Sequence, residues 1–270
     1  MTDTLLAAVR AGVRLIELGQ PLFTGMPCSP NHPGFRMMLA RRHGDTIRPD
    51  GGSAASEIIV TGGHVGTHID ALSHVSHDGR LHGGVDARKA QRGGAFSAHG
   101  AEHLPGLLCR GVLLDIARLH GVDALPGGYE ITPEDLRRAA ESGGATPEPG
   151  DVALIRTGWA RHFDDPETYL GDASGVPGVG VEAAEWLAAQ AIVATGADTT
   201  AYERIPPGDG HRILPVHRVL LVERGIHILE HLALEQLSHS ATTEFVFLLA
   251  PLRIVGGTGS PVRPLAAVSR

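Results

Sequence analysis

Four short apolar runs, each bounded by glycine, proline or polar residues, set the limits on this fold. They are RGVLLDIA (110–117), GDVALIRTGW (150–159), IVATGADTT (192–200) and TEFVFLLAPL (243–252). Each suits a buried strand and is short for a helix. Between them, ITPEDLRRAAESGG (131–144) carries a full set of helix signals. Thr132 is placed to cap, Pro133 takes the first helical position, acids fill the first turn, and Gly143 and Gly144 end it. VGVEAAEWLAAQAI (179–192) reads as a second helix. Residues 4–13 read as a short helix with Leu5, Leu6 and Val9 at helical spacing, and RLIELGQPLFTGMP (14–27) as a strand ended by glycine and proline. HRVLLVERGIHILEHLALEQL (217–237) combines a helix start, a turn at Gly225 and a strand through Ile228, and TEFVFLLAPLRIVGG (243–257) closes the domain. Strands and helices mix without strict alternation. That predicts an α/β fold, a mixed sheet with surrounding helices, in a single domain over 1–270.

The apolar fraction of 42% and the 20% of charged residues suit a packed core. A net charge of −7 disfavours a nucleic-acid partner, and 4% aromatics leave little for a base-stacking platform. Cys28 and Cys109 do not make a disulfide framework. The first twenty residues lack the pattern of a signal peptide, and no run approaches the ~18 apolar residues of a membrane span. The expectation is a cytoplasmic protein with no membrane partner.

SEIIVTGGHVGTH ends a β-branched run at Gly62-Gly63, and the next stretch, Gly62 to Gly84, holds five histidines. At the chain's average of 16 in 270, about 1.4 would be expected there. His64 and His68 would share a helix face, but Asp70 would then point away. In a strand all three share a face, with the first and last roughly 20 Å apart. A bent segment brings them together, and Gly62, Gly63 and Gly66 permit the bend. Two imidazoles and a carboxylate suit zinc, manganese or ferrous iron, with positions left for water and substrate. Metal-bound water ionises near neutral pH and becomes a nucleophile. His74, four beyond Asp70, is placed to move protons just outside the metal shell, with a rate that falls as pH drops through the imidazole range. The plainer alternative is a solvated Gly/His loop or a set of helix caps. His77 is expected to face solvent and His82 to line a pocket. The Asp-, Gly- and Pro-rich segment 163–180 is a candidate cover for the site.

HVGTHIDALSH resembles the HxGTHxDxPxH signature of the cyclase-like metal-dependent hydrolase family, which includes kynurenine formamidases and isatin hydrolases. LIELGQPLFTGMP, GDVALIRTGW, GVPGVGVEAAEWLA and PVHRVLLVERGIHILEHL resemble other parts of that family, from about Leu15 to about Pro251. The resemblance implies that His64, His68 and Asp70 bind metal, that His74 is the catalytic histidine, and that His217 and Glu230 complete a second metal site. The residues lend Glu230 separate support. In a strand it shares the apolar face of Ile226 and Ile228, where a carboxylate needs a partner, either a metal or one of Arg218 and Arg224. Leu72 stands where the signature has proline. Proline stiffens a turn but supplies no ligand, so the difference bears on the pocket. The resemblance further implies a swivelling β/β/α fold and a homodimer or homotetramer whose subunits contribute to each other's sites. The expected activity is hydrolysis of a small amide, aryl formamide, cyclic amide or lactone-like substrate with one or two Zn²⁺ or Mn²⁺ ions per subunit. The alternatives are a lyase or cyclase that eliminates water, and a non-catalytic metal- or small-ligand-binding protein.

Overall fold

A computed structural model describes residues 4–269 of the chain. A short helix, α1 (Thr4–Ala11), leads into β1 (Val13–Glu17). The Leu5 side chain lies outside the described residues. Next come β2 (Arg36–Arg41), β3 (Ser56–Val60), β4 (His68–Asp70) and β5 (Leu107–Asp115). Helix α2 (Pro133–Gly143), β6 (Val152–Arg156), helix α3 (Val181–Ala189) and β7 (Ala194–Ala197) form the middle of the chain. The last strands are β8 (His227–Glu230), β9 (Glu244–Leu249), β10 (Gly259–Pro261) and β11 (Leu265–Ser269). Nine of these strands make one mixed sheet in the order β1-β11-β9-β5-β6-β7-β8-β4-β10. The run β5 to β8 is parallel, and the flanking pairs are antiparallel.

The helix signals at 131–144 act as read. Thr132 and Asp135 form a reciprocal capping box, and Gly144 ends α2 in the left-handed region at φ 68°. Alternation along the central strands sorts side chains into two cores. Val112, Leu114, Ala153, Ile155 and Ile228 pack on α2 and α3. Leu113, Val152, Leu154 and Leu229 join Ile69, Phe245 and Phe247 on the opposite face. The sheet is therefore buried on both sides at its parallel centre, as such sheets must be. Arg156 ends β6 inside the protein, where Asp115 and Glu235 accept its hydrogen bonds at 2.8–3.0 Å.

Three readings change. The domain does not close near Gly257, because β10 and β11 follow, and β11 pairs with both β1 and β9. The run at 56–60 is a strand, but it lies outside the main sheet. It pairs with β2, which the periodicity does not announce, in a two-stranded ribbon with a bulge near Leu39. Every residue of the ribbon is exposed, including Met38 at 62% and Ile59 at 56%. Finally, segment 163–180 is packed rather than an open loop. It contains a helical turn at Pro166–Leu170, and its Phe163, Tyr169 and Val176 pack against Ala201 and Val65. Both cysteines are free, and no helix among the described residues is long and apolar enough to cross a membrane.

Candidate metal centre

The register of β8 on β4 builds the centre. Glu230 lies directly opposite His68, and Leu229 opposite Ile69. Ile69 and Leu229 point into the second core, so His68, Asp70 and Glu230 all point the other way. His64 comes back toward them through a turn at Gly66, which has φ 64°. The left-handed backbone at Gly66 favours glycine, and a Cβ there would also meet the Leu22 and Met26 side-chain tips at 2.5 and 2.9 Å, which would have to shift. His217 arrives from far along the chain, in the helical turn Pro215–His217 that continues as a π-helical turn over Arg218–Arg224.

The donors converge. His64 Nδ1 lies 2.8 Å and His68 Nε2 3.6 Å from Asp70 Oδ1. His68 Nε2 is 3.4 Å from Glu230 Oε2, and His217 Nε2 is 3.2 Å from Glu230 Oε1 and 3.7 Å from Asp70 Oδ2. Two ligands held tetrahedrally at about 2.0–2.1 Å from one ion stand about 3.3 Å apart, so these spacings match the edges of a metal shell. Asp70 Oδ2 is buried without a hydrogen-bond partner, a state that a cation relieves. The imidazoles are also oriented for it. Nδ1 of His68 donates to the Gly66 carbonyl (2.8 Å) and Nδ1 of His217 to Glu203 (2.5 Å), which leaves each Nε2 free to face the carboxylates. The residues present therefore fit a divalent ion, and three overlapping donor groups, His64–Asp70–His74, His68–Glu230–His231 and Asp70–His217–Glu230, surround the place.

The electrostatics agree. Burial opposes charge on Asp70, but His74 and the hydrogen bond from His64 hold its carboxyl well below the usual range. Burial likewise opposes charge on Glu230, and hydrogen bonds from His217 and His68 outweigh it. His68 and His217 are correspondingly pushed up against their own burial, by Glu230 for the first and by Glu203 and Glu230 for the second. Two buried carboxylates thus demand positive charge, which protons on these imidazoles or a metal ion can supply.

His74 stands beside this cluster. Its ring stacks on His64 at 3.8 Å and lies 6.2 Å from His217. Burial lowers its pKa to about 3, so the imidazole is neutral and able to accept a proton. The site opens onto a cavity of about 240 Å³ whose walls include His32, His74, Thr200, His211 and His231. A larger cavity of about 460 Å³ reaches Glu203 from the other side but contains none of the converging donors.

The structure thus brings His64, His68, Asp70, His74, His217 and Glu230 to one place. Arg218 pairs with Glu223 and Arg224 with Glu185, so neither serves Glu230. His77 is exposed, and His82 turns away from the cavity to bond the Val222 carbonyl. Leu72 packs on the first core. Sequence reading misses His32, Glu203, His231 and Thr258. Glu203 is fully buried and accepts from the backbone of Val216 and His217 as well as from the His217 ring. Thr258 bonds His64 Nε2 at 2.9 Å. His32 stacks on His64 at 5.3 Å. His231 was within reach, since it adjoins Glu230, but a strand pattern places it on the wrong face. It reaches the cavity because the strand has ended and φ is 56°.

Comparison with known proteins supplies a lineage. A family model described as putative cyclase matches residues 16–204. Isatin hydrolase of Roseibium aggregatum is 26% identical over 225 residues, which cover 82% of this chain and 78% of that protein. A crystal structure of a cyclase superposes with a TM-score of 0.86 at 29% identity, covering 98% of this chain and 91% of the other. Isatin hydrolase A from Labrenzia aggregata, bound to benzyl benzoate, gives 0.76 at 25% identity over 99% of each chain. The family match takes in the Gly66 bend, the His68–Asp70 strand, His74 and Glu203 and spans well over half the sequence, and on that ground the chain belongs to the cyclase family.

Proposed function

We propose that this protein is a metal-dependent hydrolase that opens a small amide, aryl formamide, cyclic amide or lactone-like substrate. The observation that carries the reading is an imidazole, His74, standing at the cavity wall and stacked on His64 beside a ring of converging metal donors. The likeness to isatin hydrolase supports it. His64, His68 and Asp70 would hold one ion, and His217 and Glu230, with Asp70 shared, a second; Zn²⁺ and Mn²⁺ both suit this donor set. A bound ion of this kind supplies Lewis acidity to a carbonyl and to water. The protein's own groups do the rest. His74 takes a proton from the attacking water and returns it to the leaving nitrogen or oxygen. Glu203 keeps His217 in the tautomer whose Nε2 faces the centre. The cavity confines the substrate to a small molecule.

The test is turnover of isatin, phthalimide, lactones and aryl formamides by protein reconstituted with Zn²⁺ or Mn²⁺, run in ¹⁸O-labelled water. Label in the product and loss of turnover on chelation are expected, with the melting temperature falling on chelation and recovering with metal. Unlabelled product formed by loss of water would make the protein a lyase. Metal binding without turnover of any of these would leave a binding protein.

We further propose that the protein works as a homodimer or homotetramer of this chain, with the β2–β3 ribbon covered by a second copy. A two-stranded ribbon is marginal on its own in water, and this one exposes Met37, Met38, Ile58 and Ile59. It also rises between His32 and His64, two residues that line the cavity, so its partner would adjoin the site. Light scattering should give a mass of two or four chains. Ile59→Lys should shift it toward one chain at micromolar concentration; a monomeric parent protein would refute the proposal.

A further inference from the structure

Tyr202 holds a conformation that few aromatic residues adopt. Its backbone is left-handed, at φ 58°, while its side chain is fully buried. Strain of this kind persists only where the surroundings over-determine it, and it gathers at functional sites. Neither the metal donors nor the proton transfer by His74 accounts for it.

The residues around Tyr202 point three ways. Thr200 and Ala201 line the site cavity. The Tyr202 ring joins the first core, and its hydroxyl bonds Thr195 Oγ1 in β7 at 2.9 Å. Thr195 spends its own proton on the Ala153 carbonyl of β6, also at 2.9 Å, so the tyrosine is the donor. Tyr202 is thereby tied to the middle of the parallel sheet. Glu203 turns away to the helical turn at 215–217, where its carboxylate accepts from the backbone of Val216 and His217 at 3.0 Å and from His217 Nδ1 at 2.5 Å. In a regular strand Ala201 and Glu203 would share a face. The left-handed residue between them parts them, and the Glu203 N–H bonds back to the Ala201 carbonyl.

The turn is also clamped from outside. The Val179 N–H donates to the Tyr202 carbonyl at 3.2 Å, and the Val179 carbonyl accepts from the Arg204 N–H at 3.3 Å. The approach is this close because residue 178 is glycine. A Cβ there would lie 2.5 Å from the Arg204 nitrogen, a backbone atom that cannot step aside.

We propose that Tyr202 is a positioning residue for the metal centre. Its anchored ring and hydroxyl hold the left-handed turn that delivers Glu203 to His217, and so keep His217 Nε2 aimed at the second ion. The inference deepens the proposed function and rests on its two-ion centre.

The test compares Tyr202→Ala and Tyr202→Phe with a control, Leu136→Ala, which opens the same core from α2. The first readout is the His217 Nδ1 proton in metal-free protein, followed by ¹⁵N-histidine NMR and assigned through Glu203→Gln. Its hydrogen bond to a carboxylate moves it downfield. The second is the affinity for each ion, by calorimetric titration with Zn²⁺ or Mn²⁺. Tyr202→Ala should lose the downfield signal and bind the second ion about tenfold or more weakly, with the first ion unaffected. Tyr202→Phe, which loses only the tie to Thr195, should keep the signal and lose about threefold for the second ion. Leu136→Ala should melt at least as low as Tyr202→Ala yet keep the signal and both affinities; a merely structural tyrosine would make the two alanine variants alike. Signal and affinities unchanged in Tyr202→Ala, the same losses in Leu136→Ala, or fewer than two ions in the parent would overturn the proposal. If Tyr202→Ala misfolds, Tyr202→Phe carries the test, and second-ion affinity equal to the parent's would overturn it. None of these readouts needs a substrate, so the expected results in a protein that turns nothing over would overturn the hydrolase reading and leave the role of Tyr202 standing.

Discussion

His74→Ala is expected to lower kcat by roughly 10²–10⁴-fold while metal content and melting temperature stay near those of the parent, the range usual for removal of a general acid–base group. The expectation follows from placement. The ring stacks on His64 at 3.8 Å, faces the cavity, and is kept neutral by burial, which lowers its pKa to about 3. A group with a pKa of about 3 is unprotonated over the whole neutral range, a weak base that is always in its base form. This changes the pH dependence read from the sequence. An ordinary imidazole would switch the enzyme off between pH 7 and 5, whereas a buried His74 stays a base there. Any acid limb in that window should therefore persist in the residual activity of His74→Ala. A variant with full turnover would remove His74 from the mechanism.

Asp70→Asn is expected to cost metal affinity at both proposed sites, by about 10²-fold or more, since Asp70 is the donor that the two sets share. The substitution keeps the shape but removes the charge and gives the centre an amide where it needs an acceptor. Metal analysis after dialysis, with chelator competition, reads the effect. A second measurement separates a ligand from a structural ion pair. Glu230 repels Asp70, but His74 and the hydrogen bond from His64 outweigh that repulsion and hold the carboxyl low, so the Asp70 charge stabilises the fold even in metal-free protein. Chelated Asp70→Asn should melt somewhat below the chelated parent, and added metal should widen that gap, because it should stabilise the parent far more than the variant; a gap that metal leaves unchanged marks a structural ion pair. Metal content at the parental level would show that Asp70 is not a ligand.

How much of this was open to reading depends on sequence distance. His64, His68, Asp70 and His74 fall within eleven residues, and glycine within the same stretch announces the bend, so local geometry alone suggested a shared target. The helix α2 was equally plain because its caps are written into contiguous residues. Glu230 was half legible. Alternation with Ile226 and Ile228 placed it on a buried face, but no local signal chose between arginine and a metal, and only the register of β8 on β4 set it opposite His68.

Other features have no local signature at all. Glu203 matters because a turn fourteen residues later brings His217 onto its carboxylate. His231 matters because its strand stops one residue early and the backbone turns left-handed. The ribbon of β2 and β3 reads from its β-branched half as a strand, and nothing in that half says which sheet it will join. By itself, the sequence determined the mixed α/β class, the buried character of the central strands and the donor chemistry of one short segment, because those follow from periodicity and from side-chain type within a few residues. The tertiary structure alone decided which distant carboxylates and imidazoles meet at that segment and which apolar residues stay outside. Strand register and order in a sheet are fixed by packing between segments as far apart as Gly66 and His231, and that information is not contained in either segment.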